Sequence, residues 1–150
     1  MKVRTIHASC VELEGRGVLL CGDSGAGKTS LLVELLGRGA RFLADDSVVL
    51  LRESDRLWAE PPKRTEGLIA TSPVEAESVV RLFPGVQAVR ATSIELCVHI
   101  EAEAAGTEAP EALMADIPKL SLQRNELALM ADACENAVKG ESFLSGLDAK

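Results

Sequence analysis

The sequence predicts an α/β fold, on three observations. A short apolar run, VLLC at residues 18–21, leads straight into GDSGAGKT at residues 22–29, which fits the pattern G-x-x-x-x-G-K-[ST]. Leucines at helical spacing follow the loop. A second apolar stretch then ends on tandem aspartates, Asp45 and Asp46. A strand, a glycine-rich loop, a helix and another strand make up a P-loop unit, and strands alternating with helices build a mixed sheet with flanking helices.

The totals suit that class. A chain of 150 residues is expected to form a single domain over 1–150. With 47% hydrophobic and 26% charged residues it falls among soluble globular proteins. Only three Phe and one Trp are present, so Leu, Val, Ile and Ala must fill the core. The net charge of −7 argues against a nucleic-acid or anionic-membrane partner, because either needs a broad positive face. The start, MKVRTIHASCVELEG, has scattered charges and no apolar core of signal-peptide length, and no stretch reaches the ~18 apolar residues of a membrane span. Cys10, Cys21, Cys97 and Cys134 form no C-x-x-C pair and lie in or beside apolar stretches. They read as free, buried thiols of a reducing compartment, which places the protein in the cytoplasm.

Along the chain, residues 3–13 read as β and end at the turn signal of residues 14–17, EGRG; with residues 17–21 they form a hairpin leading into the loop. From Lys28 the pattern is helical, with Leu31, Leu32, Leu35 and Leu36 on one stripe and Gly37 and Gly39 marking the end. ARFLADDSVVLL, residues 40–51, is an apolar strand broken by the two aspartates, and RLWAE, residues 56–60, is its hairpin partner. Pro73 is placed to open a helix carrying Val74, Val79, Val80 and Leu82, stopped by Pro84-Gly85. IELCVHI, residues 94–100, is a strand, and the acidic, alanine-rich segment 101–112 is a solvated loop. Leu127, Met130, Ala131, Cys134 and Val138 give a last helix over 125–138, with Asn125 as its N-cap.

The loop is built for phosphate. Gly22, Gly25 and Gly27, with the small Ser24 and Ala26 and with Asp23 between, let backbone N–H groups approach phosphate oxygens without Cβ clashes. The helix that follows aims its positive end at the same oxygens. Lys28 is expected to reach the outer phosphates and the Thr29 hydroxyl to ligate Mg²⁺. No guanine-reading N-K-x-D segment is present. FLADD begins thirteen residues after Thr29, and an aspartate there is either a second Mg²⁺ partner or a base for an attacking nucleophile. Adjacent strand residues point to opposite sides, so the pair can divide both roles.

On these residues the chain resembles the catalytic domain of HPr kinase/phosphorylase, the bacterial enzyme that phosphorylates a serine of the phosphocarrier HPr. The resemblance lies in His7 within TIHASCVEL, in GDSGAGKTS, in ELLGRGARFLADDSVVL, in RLFPGVQAV and in LQRNELA. It is closest over residues 5–50, and the length is like that of short forms without an N-terminal regulatory domain. The resemblance implies a phosphoenolpyruvate carboxykinase-like nucleotide-binding core, ATP and Mg²⁺ as cofactors, an HPr-like protein substrate and a hexamer. It further implies that Asp46, with Asp45 beside it, accepts the proton of the substrate serine. By the same likeness Asp45 joins Thr29 at the metal, His7 assists near the transferred phosphate, and Arg124 stabilises the moving charge. The alternatives are a satisfied core histidine at His7 and a surface arginine at Arg124.

One departure stands out. The family signature of roughly L-I-E-V-R-G corresponds here to LIATSP, residues 68–73, so Ala70 takes the place of a metal-ligating glutamate. Alanine cannot ligate Mg²⁺. An alternative reading is therefore a nucleotide-binding regulatory module without transfer activity, or a kinase of a different hydroxyl.

Overall fold

The structure is a computed structural model and describes residues 2–22, 27–72, 74–101 and 114–148. Its elements are β1 (Lys2–Ile6), β2 (Ser9–Leu13), β3 (Arg16–Cys21), α1 (Lys28–Gly37), β4 (Arg41–Ala44), β5 (Val48–Glu53) and β6 (Arg56–Glu60). A 3-10 turn at Lys63–Thr65 leads to β7 (Leu68–Ser72), β8 (Glu75–Ser78), the single turn α2 (Val79–Leu82), β9 (Thr92–Glu101), β10 (Lys119–Gln123) and α3 (Leu127–Asp148). Asp23, Ser24, Ala26 and Gly25 of the loop, Pro73 and the acidic segment 102–113 lie outside the described residues.

An eight-stranded mixed sheet has the order β1-β5-β6-β9-β3-β2-β4, with β10 beside β9 as the eighth strand. β9 is long enough to serve two neighbours along one side. Its first residues pair with β6, and from Cys97 onward it pairs in parallel with β10. β3 is also parallel to β9. β2 is antiparallel to both β3 and β4, so β4 runs in the same direction as β3.

The sheet is covered on both sides, which explains why its central strands read as continuous apolar runs rather than alternating ones. Within β3, Val18 and Leu20 face one core and Leu19 the other, as the period of two requires. The first core joins these residues to Leu31, Leu32, Leu35 and Leu36 of α1 and to Met130, Ala131, Cys134 and Val138 of α3, the two predicted stripes without Leu127, which is exposed. The second holds Ala8, Cys10, Leu43, Leu50, Leu57 and Ile94. Arg38, just past α1, ties the helices together: its guanidinium binds Glu34, Asp132 and Glu135 and the carbonyl of Ala128. All four cysteines are free thiols, and no helix among the described residues is long and apolar enough to cross a membrane.

Several local expectations are corrected. The segment 3–13 is two strands, divided at His7-Ala8: β1 pairs with β5, while β2 pairs with β3 and β4. Glu75–Ser78 pairs with β7 as β8 where a helix opening at Pro73 was expected, and of that helix only Val79–Leu82 is helical, as α2. The helical stripe had nothing to bury against: Val74 is 89% exposed, Val80 50% and Leu82 38%, and only Val79 reaches the core. Asn125 lies one residue ahead of the α3 cap. The Glu126 carbonyl accepts the first helical bond, from Met130 N–H, and Asn125 Oδ1 accepts from the Glu126 N–H. β10 carries an alternation, KLSLQ, with Leu120 and Leu122 turned inward; that signal marks a strand at 119–123.

Candidate functional site

Strand direction brings the expected residues to one edge. β3 and β4 run the same way with β2 between them, so the loop that starts at Gly22 and the Asp45-Asp46 pair leave the same end of the sheet. β2 runs oppositely, so its beginning, with His7 just before it and Ser9 as its first residue, lies on that edge too. β10 is parallel to β9 and β9 to β3, so Arg124, immediately after β10, follows the same edge two strands from the loop, about 10 Å across the sheet. Binding beyond the carboxyl ends of strands is the general rule for sheets of this kind.

Asp45 is the centre of the arrangement. It is only 5% exposed, and burying a carboxylate is costly unless hydrogen bonds replace water. Three groups supply them. Ser9 Oγ donates to Oδ1 at 2.6 Å, Thr29 Oγ1 lies 3.1 and 3.3 Å from the two oxygens, and the Ala70 N–H donates to Oδ2 at 2.9 Å. Thr29 and Asp45, the two residues expected at a metal, are thus in hydrogen-bond contact with each other. Ala70 borders the same carboxylate, at the position where the resemblance expects a glutamate.

Both aspartates lie in the bend just past β4, and Asp46 faces elsewhere. Its side chain is 69% exposed, and Oδ1 lies 3.3 Å from His7 Nδ1. Its φ of 70° is left-handed, a conformation that aspartate tolerates better than most residues and that is concentrated at functional sites. The Asp46 N–H donates to Ser9 Oγ at 3.2 Å, so one buried hydroxyl links both aspartates.

Lys28 is nearly buried at the start of α1, and its Nζ donates to the Gly22 carbonyl at 2.7 Å. Gly27 caps the helix with φ 104°, which requires glycine. The Arg124 N–H reaches the Glu101 carbonyl at 3.3 Å. Ser9 is the residue that sequence reasoning missed. A lone hydroxyl at the start of a strand carries no periodic or motif signal, and only the fold shows it wholly buried between two carboxyl-bearing residues. Among the described residues no group of three or more His, Cys, Asp and Glu could hold a metal by itself. A hydroxyl and one carboxylate match a Mg²⁺ that completes its shell with water and substrate phosphates.

Comparisons with known proteins agree with this architecture. The profile of the HPr Serine kinase C-terminal domain matches residues 1–130. The HPr kinase/phosphorylase of Latilactobacillus sakei is 36% identical over 124 residues, covering 77% of this chain and 39% of that protein. The enzyme of the same name from Enterococcus faecalis is 39% identical over 105 residues, covering 68% of this chain and 33% of that protein. The chain therefore spans at most about two fifths of the length of these relatives. The structure of the Hpr(Ser) kinase/phosphatase from Coxiella burnetii superposes with a TM-score of 0.77 over 97% of this chain and 95% of that one, at 21% identity. The fold is that of the HPr kinase C-terminal domain, a phosphoenolpyruvate carboxykinase-like P-loop fold. The chain belongs to the HPr serine kinase C-terminal domain family.

Proposed function

We propose that this chain transfers the γ-phosphoryl group of ATP to a serine of HPr or a related phosphocarrier. The observation that carries the reading is the Asp45 carboxylate at 3.1 Å from the hydroxyl of Thr29, the residue after the loop lysine, with Asp46 open to solvent on the same edge. Thr29 and Asp45 would hold Mg²⁺, which, when bound with nucleotide, neutralises charge on the β and γ oxygens. Lys28 exchanges the Gly22 carbonyl for phosphate oxygens. Asp46 receives the incoming serine, takes its proton at a carboxylate oxygen, and is oriented by Ser9 and His7. Arg124, on the same edge, stabilises charge on the transferring group. Catalysis of this kind is mostly positioning and electrostatics.

Incubating the protein with HPr, Mg²⁺ and γ-labelled ATP tests the proposal. Label on an HPr serine that vanishes in Asp46→Asn supports it; ATP turnover without labelled protein overturns it. One observation favours a second reading. Ala70 leaves the metal side of Asp45 with a single carboxylate, which fits a module that binds nucleotide without transferring phosphate. That reading requires ATP to bind with no label transferred to any protein.

A further inference from the structure

Cys21 is the last residue of β3, directly before the loop at Gly22, and Cys97 lies on the adjoining parallel strand β9. Their sulfurs are 3.5 Å apart. Cys97 is buried and Cys21 partly exposed. Cys10, on the far neighbour β2, turns its thiol to the Val11 carbonyl instead. We propose that Cys21 and Cys97 are an oxidisable dithiol that closes to a disulfide at the root of the glycine loop and thereby weakens nucleotide binding. The disulfide rests on geometry alone; its effect on nucleotide rests on the phosphate-site reading above.

The geometry explains why closure reaches the loop. Cys21 is level with His99, two residues beyond Cys97, so the thiols meet diagonally across the strand pair. Diagonal positions are about 7–8 Å apart at Cα, at or beyond the roughly 7 Å that a disulfide spans without backbone movement. Bringing the sulfurs from 3.5 Å to bonding distance, about 2.05 Å, therefore draws the end of β3 toward β9. The next carbonyl along is that of Gly22, the present acceptor for Lys28 Nζ.

The chemistry balances with a peroxide as oxidant. One thiol attacks a peroxide oxygen; the O–O bond breaks, a sulfenic acid forms and water leaves. The second thiol attacks the sulfenic sulfur; the S–S bond forms, the S–O bond breaks and a second water carries off the remaining proton. The hydrogen bond between the two sulfurs and, against the opposing effect of burial, the nearby Lys119 ammonium favour a thiolate on Cys97, while Cys21 is the thiol partly open to solvent. That same hydrogen bond, with burial, keeps the proton on Cys21.

Each cysteine falls in its own tryptic peptide, with Cys21 in 17–28 and Cys97 in 91–119, so the test is direct. The full chain is treated with hydrogen peroxide, mapped, and titrated with Mg·ATP before and after. The expected result is a 17–28 to 91–119 linkage, with affinity lowered about tenfold or more and restored by dithiothreitol. Cys97→Ala and, separately, Cys21→Ala should bind Mg·ATP like the reduced parent and ignore peroxide. Absence of that linkage, linkage to Cys10 instead, or linkage with unchanged affinity would overturn the proposal. Reduced protein that binds no Mg·ATP contradicts the phosphate-site reading and with it the nucleotide effect, while the peptide map still decides the disulfide.

Discussion

Ser9→Ala removes one buried oxygen and nothing else. The hydroxyl donates to Asp45 Oδ1 at 2.6 Å and accepts from the Asp46 N–H at 3.2 Å, and the residue is wholly buried. A hydrogen bond to a carboxylate contributes about 1.5–3 kcal/mol net, and water cannot replace it at a sealed position. Alanine fits the space, so no steric cost is added. The variant should lose about 2 kcal/mol of stability, a fall in Tm of about 4–8 °C for a chain of this size. It should also bind Mg·ATP about tenfold less tightly, because Asp45 loses the donor that fixes it beside Thr29. A double-mutant cycle with Asp45→Ala, read by denaturant unfolding and by calorimetric titration, separates this account from simple core damage. On the Asp45→Ala background Ser9→Ala should cost little, giving a coupling of at least about 1 kcal/mol. A loss below about 0.5 kcal/mol, or strictly additive losses, would show that the Ser9 hydroxyl does not hold Asp45 in place.

Three further outcomes follow from particular contacts. A Cβ at Gly17 would lie 2.6 Å from the Ser93 carbonyl oxygen and 2.7 Å from Thr92 Cγ2, so Gly17→Ala should destabilise by about 1–3 kcal/mol, read as a lower urea midpoint at unchanged slope. Ala70→Glu places a carboxylate beside Asp45 and should lower the Mg²⁺ concentration needed for half-maximal ATP binding about fivefold; an unchanged midpoint would show that this position does not border the metal. Burial lifts the Cys134 thiol from its usual 9.0 to about 12. A raised folded value means stability that is intact below pH 9.0 and declines as the unfolded thiol ionises up to about 12. Cys134→Ala should therefore show a shallower loss of Tm than the parent between pH 9 and 11.

What could be read from the sequence was local. The loop at 22–29, the leucine stripe behind it and the tandem aspartates each declare themselves within about a dozen residues, and the strand directions then set Thr29 against Asp45. Pairings distant in sequence were not legible. Nothing in LCVHI or KLSLQ says that β9 lies between β3 and β10, yet that order is what puts Arg124 on the same edge as the loop. The helix expected from Pro73 shrank to the turn Val79–Leu82 because Val74, Val79, Val80 and Leu82 satisfy helical spacing whether or not a surface exists to cover them. The distance of 3.5 Å between Cys21 and Cys97, residues 76 apart in the chain, was equally invisible before folding.

In the proposed function Lys28, from the glycine loop, and Asp45, just past β4, form one Mg·ATP site. Calorimetric titration of the reduced chain with ATP, with and without Mg²⁺, for the parent and for Lys28→Ala, tests it most directly. Binding should depend on Mg²⁺ and weaken by at least about tenfold in the variant. Equal affinity in the two proteins, or binding by neither, would contradict it.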